Sequence, residues 1–193
     1  YIECDGAVVA WWVPEGAHPR FRVVGSHTDS PGFKLKPNPA TVTADGWVQA
    51  GVEVYGGPLL NSWLDRELRF AGRLALDDGT QVLAATGPVG RIPQLAIHLD
   101  REVNEGLTLK RQRHTNPVVG ALAPRGEGAG EAEADGLAAR VPGDVLTALA
   151  AAAGVDPAAV RGHDVVVADA QAPGLFGLAG EFFASGRLDN LSS

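Results

Sequence analysis

Methionine is absent from all 193 residues, and cysteine occurs once, at Cys4. A single thiol excludes an intramolecular disulfide and any cysteine-rich zinc ribbon. Cys4 reads as a small, partly buried apolar residue. Its isolation fits a reducing, intracellular setting, so a cytoplasmic location is expected. No stretch of about 20 apolar residues occurs, which excludes a transmembrane helix. No basic segment followed by an apolar run stands at the start. Positive charge is also scarce: 16 Lys and Arg against 23 Asp and Glu give a net charge of −7. That balance argues against a surface that tracks nucleic-acid phosphates. Neither a nucleic acid nor a membrane is therefore expected as a partner. The chain starts at Tyr1 and stops on Asp-Asn-Leu-Ser-Ser amid apparent structure, and so reads as a piece of a longer protein.

Hydrophobic residues make up 45% of the chain, enough to give one large domain or two small ones real cores. Residues 7–13 read as a buried strand closed by a turn at Pro14-Glu-Gly16; Trp11 and Trp12 point to opposite faces, so at least one belongs to the core. Phe21, Val23 and Val24 form a second strand signal that ends at Gly25. His27 then stands where ligands gather in open α/β sheets, beyond a strand's carboxyl end. A neutral imidazole there can bind a metal through one nitrogen and donate a proton from the other. Asp29 can receive that proton and fix the tautomer. Taken alone, His-x-Asp reads first as a solvated turn.

Residues 33–37 alternate apolar and basic side chains, as an edge strand does. Residues 41–43, 47–55, 68–76 and 81–85 follow as short strands, with hairpin turns at Asp45-Gly46 and Asp78-Gly79. They outline a small antiparallel β unit. Between them, Trp63 with Asp65 and Arg66 suggests a loop anchored by one aromatic and an ion pair. Residues 91–99 read as a helix opened by Pro93, with Leu95, His98 and Leu99 on one face. A lone His on such a face reads first as a satisfied core residue. Residues 124–136 hold little but Gly, Ala and Glu and read as a loop, and His18 as a solvated loop residue. Asp144 caps a helix that runs to Ala153 and stops at Gly154; Asp156-Pro157 caps a shorter one. Residues 164–168 form a buried strand, with Asp169 as a turn or capping carboxylate at its end. Asp189 by itself suggests a surface ion pair.

Read together, Gly25-Ser-His27-Thr-Asp29-Ser-Pro31, Val54-Tyr-Gly-Gly57, Trp63-Leu-Asp-Arg66, Leu95-Ala-Ile-His98-Leu99, Asp169-x-Gln171 and Arg187-Leu-Asp189-Asn-Leu191 resemble, in order and spacing, the aspartyl aminopeptidase family of two-metal exopeptidases. The resemblance implies an α/β fold: a zinc-peptidase-like catalytic domain, an α/β sandwich, interrupted by an inserted β-rich dimerisation domain. The catalytic domain would comprise residues 1–35 and 163–193, and the insert residues 36–162. It further implies His27 as a metal ligand, Asp189 as the carboxylate bridging two Zn2+ ions, and Asp29 as the catalytic-site acid that orients His27. His98 would contact substrate from the partner subunit; a role as a third metal ligand is the alternative.

The implied activity is removal of N-terminal residues, acidic ones by preference, from peptides by a metal-activated water. The implied assembly is a homo-oligomer built from dimers. Pro58 departs from the family pattern, which often has another glycine there. The family's Glu-Glu pair and its remaining Asp and His ligands have no counterpart in these 193 residues, so this piece alone is expected to be inactive. A catalytically silent assembly or binding module of the same fold is the alternative reading.

Overall fold

The computed structural model describes residues 1–4, 6–16, 20–122, 144–187 and 189. The expectations at His18, at residues 124–136, and at Leu188, Asn190 and Leu191 of the last motif lie outside them. The described residues form a sheet-dominated α/β arrangement. Its centre is a six-stranded antiparallel sheet built from β3 (Gly32–Val42), β4 (Trp47–Tyr55), β5 (Leu68–Leu76), β6 (Gln81–Ala85), β7 (Val118–Ala121) and β8 (Val160–Asp169). The strand order is β6-β5-β8-β3-β4-β7. Outside it lie two small hairpins, β1 (Ile2–Cys4) with β2 (Ala7–Val9), and β9 (Gly174–Phe176) with β10 (Phe182–Ala184).

Strand alternation sets the core. Phe33 and Leu35 of β3, Leu68, Phe70 and Leu74 of β5, and Val165 and Val167 of β8 share one face of the sheet and are buried. Helix α1 (Val145–Ala153) covers that face with Val145, Leu149 and Ala150. Asp144 caps it by accepting from the backbone N–H of Thr147, and Gly154 ends it at φ 70°, both as expected. Gly72 shows how closely β5 and β8 approach: a Cβ there would stand 2.1 Å from the carbonyl oxygen of Asp164. The hairpin turns at Asp45-Gly46 and Asp78-Gly79 and strands 47–55, 68–76 and 81–85 fall where the sequence placed them.

Other expectations change. Residues 33–37 are not an edge strand, because β3 lies between β8 and β4. Yet β8 pairs with β3 only at Phe33 and Lys34, and the proline-bearing stretch beyond has no partner strand on that side among the described residues. Lys34 and Lys36 are ion-paired on the outer face, with Asp164 at 2.8 Å and Glu53 at 3.2 Å. Residues 91–99 are not a helix. Ile92 bridges to Leu64 and Arg91 to Val118, Asp65 holds the start of the stretch by donating its N–H to Ile92 and accepting that of Gln94, and residues 97–99 form a turn.

Residues 21–24 form no strand, and Phe21, Val23 and Val24 are exposed; residues 7–13 yield only the three-residue β2, with Trp11 and Trp12 exposed as well. No described strand pairs with this apolar stretch beyond the β1–β2 hairpin, so its periodicity has nothing to bury against. Cys4 is exposed rather than partly buried. Strand β3 spans positions 35–36, with a register shift against β4 between Leu35 and Ala40, and β8 spans positions 162–163.

Candidate active site

The site is assembled from both ends of the chain. His27 lies in an irregular segment that leads into β3, and Asp189 follows the β9–β10 hairpin. Their side chains meet, with His27 Nε2 3.7 Å from Asp189 Oδ1. His27 is held from its other side. Nδ1 is 2.8 Å from the carbonyl oxygen of Asp29 and 3.3 Å from its Oδ1. An acceptor so close to Nδ1 suits a proton on that nitrogen, which would leave Nε2 free to bind a metal ion.

Asp29 is fixed in turn by Tyr55, whose hydroxyl donates to Asp29 Oδ2 at 2.5 Å. This bond is the main reason that the Asp29 carboxyl lies below the usual aspartate range. The same bond raises the Tyr55 phenol, because its loss of a proton would set two anions side by side. Local backbone brings the two together. Tyr55 pairs with Gly32 across the β3–β4 ladder, and Gly56, at φ 66°, has Pro31 where its Cβ would point. The Tyr-Gly-Gly stretch, which by itself reads as a structural loop, thus supplies the group that anchors Asp29.

A second layer fixes the Asp189 segment. Trp63 is buried, meets Phe33 edge-on with centroids 4.8 Å apart, and carries the Arg187 guanidinium 3.6 Å above its ring. Asp169 accepts from Arg66 Nη1 at 2.7 Å and from the backbone N–H of Gln171 at 2.9 Å. The Asp65–Arg66 element expected to anchor this loop does so, but Asp65 pairs with Arg91 at 3.5 Å while Arg66 turns to Asp169. Sequence reasoning passed over Asp169 as a turn residue. The missed signal is its parity: it falls on the same face of β8 as Val165 and Val167.

His98 sits exposed in the turn at residues 97–99. It does not join His27 and Asp189, since the described residues contain no group of three or more His, Cys, Asp or Glu side chains able to hold a metal ion. The pair itself fits an ion. Two donors on a tetrahedral zinc stand about 3.4 Å apart, given zinc–ligand bonds of about 2.1 Å. The pair's separation is 3.7 Å, and an imidazole nitrogen with a carboxylate oxygen is a donor set that zinc accepts. No helix among the described residues is long and apolar enough to cross a membrane.

The chain is similar to known proteins in sequence and in fold. The family model described as aminopeptidase I zinc metalloprotease (M18) matches residues 1–193. The chain is 46% identical over 197 residues to a probable M18 family aminopeptidase 2 of Streptomyces coelicolor, covering 100% of this chain and 42% of that protein. Among solved structures, the cryo-EM structure of the Ape4 and Nbr1 complex superposes with a TM-score of 0.67 at 32% identity, over 82% of this chain and 31% of that one. The S. cerevisiae mApe1 dodecamer gives a TM-score of 0.56 at 28% identity, over 82% and 33%. The chain thus spans less than half the length of the relatives that it matches.

Proposed function

Because the chain belongs to the M18 family of aminopeptidase I zinc metalloproteases, we propose that it contributes part of the active centre of a metal-dependent aminopeptidase. The observation that carries this reading is the approach of His27 Nε2 to Asp189 Oδ1, 3.7 Å apart across 162 positions of sequence. His27 would be a terminal zinc ligand. Asp189, with two carboxylate oxygens, would be shared between two zinc ions. Bound zinc would polarise the scissile carbonyl and make the attacking water more acidic. This chain's own residues prepare that chemistry. The Asp29 carbonyl would accept a hydrogen bond from Nδ1–H and so aim Nε2, and Tyr55 keeps Asp29 in place and ionised.

The substrates in this reading are peptides, with an N-terminal Asp or Glu preferred. A net charge of −7 requires that any basic groups receiving such a side chain be local. His98, exposed and remote in sequence from both ligands, suits a contact with substrate bound to the partner subunit. Residues 1–35 and 163–193 would serve catalysis, and the inserted residues 36–162 self-association. The dodecamer formed by a relative supports a homo-oligomer built from dimers. The free, exposed Cys4 suits the cytoplasm.

The test is hydrolysis of aspartyl and glutamyl peptides by the full-length protein, with and without a chelator. Release of the N-terminal residue that stops with chelator and returns with zinc is the expected result. Activity indifferent to chelator removes the metal mechanism, and absence of any zinc-restored activity leaves the assembly module.

A further inference from the structure

We propose that Asp169 is a positioning residue for the metal pair: through Gly186 and Arg187 it sets where Asp189 stands against His27. The inference rests on the reading of His27 and Asp189 as metal ligands and adds how they are brought into register.

Asp169 ends β8 on the core face, and its side chain is only 5% exposed. A carboxylate so placed is costly unless cations and donors surround it. Arg66 and the Gln171 N–H satisfy it from one side. From the other side comes the segment that carries Asp189. Arg187 Nη2 stands 3.9 Å from Asp169 Oδ2, while the same guanidinium donates to Ser62 Oγ and to the Ser62 carbonyl at 3.3 Å each. Gly186 lies directly on the carboxylate side chain; a Cβ there would be 2.6 Å from Asp169 Cβ and 3.0 Å from its Cγ.

The segment is then tied to the other ligand. The Arg187 carbonyl accepts from Ser30 Oγ at 3.2 Å. Ser30 is three residues beyond His27, and Arg187 two before Asp189. The two ligand-bearing strands of chain are joined beside their ligands, and Asp169 is the charge on which the joint is seated. A displacement of about 1 Å at such a support is enough to spoil a metal site.

The experiment uses the full-length protein and the variant Asp169→Asn. Asparagine keeps the shape and an acceptor oxygen but not the charge that faces two guanidinium groups. Zinc affinity, measured by competition with a chromophoric chelator, is expected to fall by about 10- to 100-fold, the range seen when groups that orient metal ligands are lost. At saturating zinc, kcat is expected to fall while KM changes little.

Asp144→Ala serves as the comparison. It removes the α1 cap and touches none of these groups, so it is expected to lower stability and leave zinc affinity unchanged. If Asp169→Asn does not fold, Gly186→Ala decides, because it pushes the segment off Asp169 and is expected to weaken zinc in the same way. Wild-type zinc affinity in the folded Asp169→Asn or, failing that, Gly186→Ala variant overturns the proposal. A wild-type protein that binds no zinc overturns both this inference and the proposed function, whereas chelator-sensitive activity with unaltered affinity in the variants overturns the inference alone.

Discussion

Ser30 and Arg187 are 157 positions apart, yet the Ser30 hydroxyl donates to the Arg187 carbonyl at 3.2 Å. This bond joins the segment that holds His27 to the segment that holds Asp189. Each has a further fixture of its own, Tyr55 through Asp29 on one side and Trp63 under Arg187 on the other. Tyr55 ends β4, and Trp63 lies in the short helical turn before β5, buried against Phe33 of β3. The sheet is thus the frame against which the ends of the chain are aligned.

Removal of either proposed ligand is expected to be more damaging than removal of a group that supports it. His27→Ala and Asp189→Asn, made separately in the full-length protein, are each expected to reduce zinc-dependent peptide hydrolysis by more than about 100-fold, beyond the range for outer partners. Steady-state kinetics with metal content measured on the same samples checks this. Near-normal activity in either variant would remove that residue from the ligand set.

Tyr55→Phe takes away one hydroxyl from a residue that is 45% exposed, so the fold is expected to persist. Asp29 loses the main cause of its depressed pKa, and its carboxyl is expected to rise towards the ordinary aspartate value of about 4. The sign follows from linkage. A depressed carboxyl adds stability above its unfolded pKa and loses it as pH falls through the lower folded value, so the difference between wild type and Tyr55→Phe is expected to vanish in acid. Carboxyl titration by NMR with the pH dependence of unfolding measures both. An Asp29 titration unmoved by the substitution contradicts the assignment.

Trp63 is 1% exposed and lies between Phe33 and Arg187. Trp63→Ala is expected to cost about 3–5 kcal/mol in unfolding free energy, from lost burial and the cavity left behind. Trp63→Phe keeps an aromatic face under Arg187 and is expected to cost less. Equal losses in denaturant unfolding would mean that the ring's stacking with Arg187 contributes little.

Gly72→Ala tests the approach of β5 to β8. The added methyl would meet backbone atoms, the Asp164 carbonyl oxygen at 2.1 Å and Val165 Cα at 2.6 Å. The strands must separate, at a cost of at least about 2 kcal/mol on the scale of core overpacking. Gly87→Ala, where nothing lies within 4 Å, is the matched control and is expected to be tolerated. A stable Gly72→Ala protein would contradict the register of the two strands.

Local sequence was sufficient for elements whose signals are local. Asp144 and Gly154 bracket α1 because an acceptor side chain and a left-handed backbone are properties of single residues. Strands β4 and β6 follow their turn glycines, and β5 its alternation, for the same reason. Sequence also supplied His27, Asp29 and Asp189 as a set, through the order of motifs along the chain. It misread residues 91–99, where a helical period yields to the hold of Asp65, and residues 21–24, whose apolar side chains find no described strand to pack on.

What tertiary structure alone decided is which long-separated groups share a face or a bond. Asp169 becomes a buried anchor only because β8 lies between β5 and β3, so the parity of Val165 and Val167 carries its carboxylate inward. Tyr55 becomes the partner of Asp29, and Arg187 that of Trp63, through strand register and chain closure that no neighbouring residue encodes. Capping and turn preferences act within a few positions; the approach of His27 to Asp189 depends on angstrom-scale placement of segments 162 positions apart, and only the packed sheet fixes that.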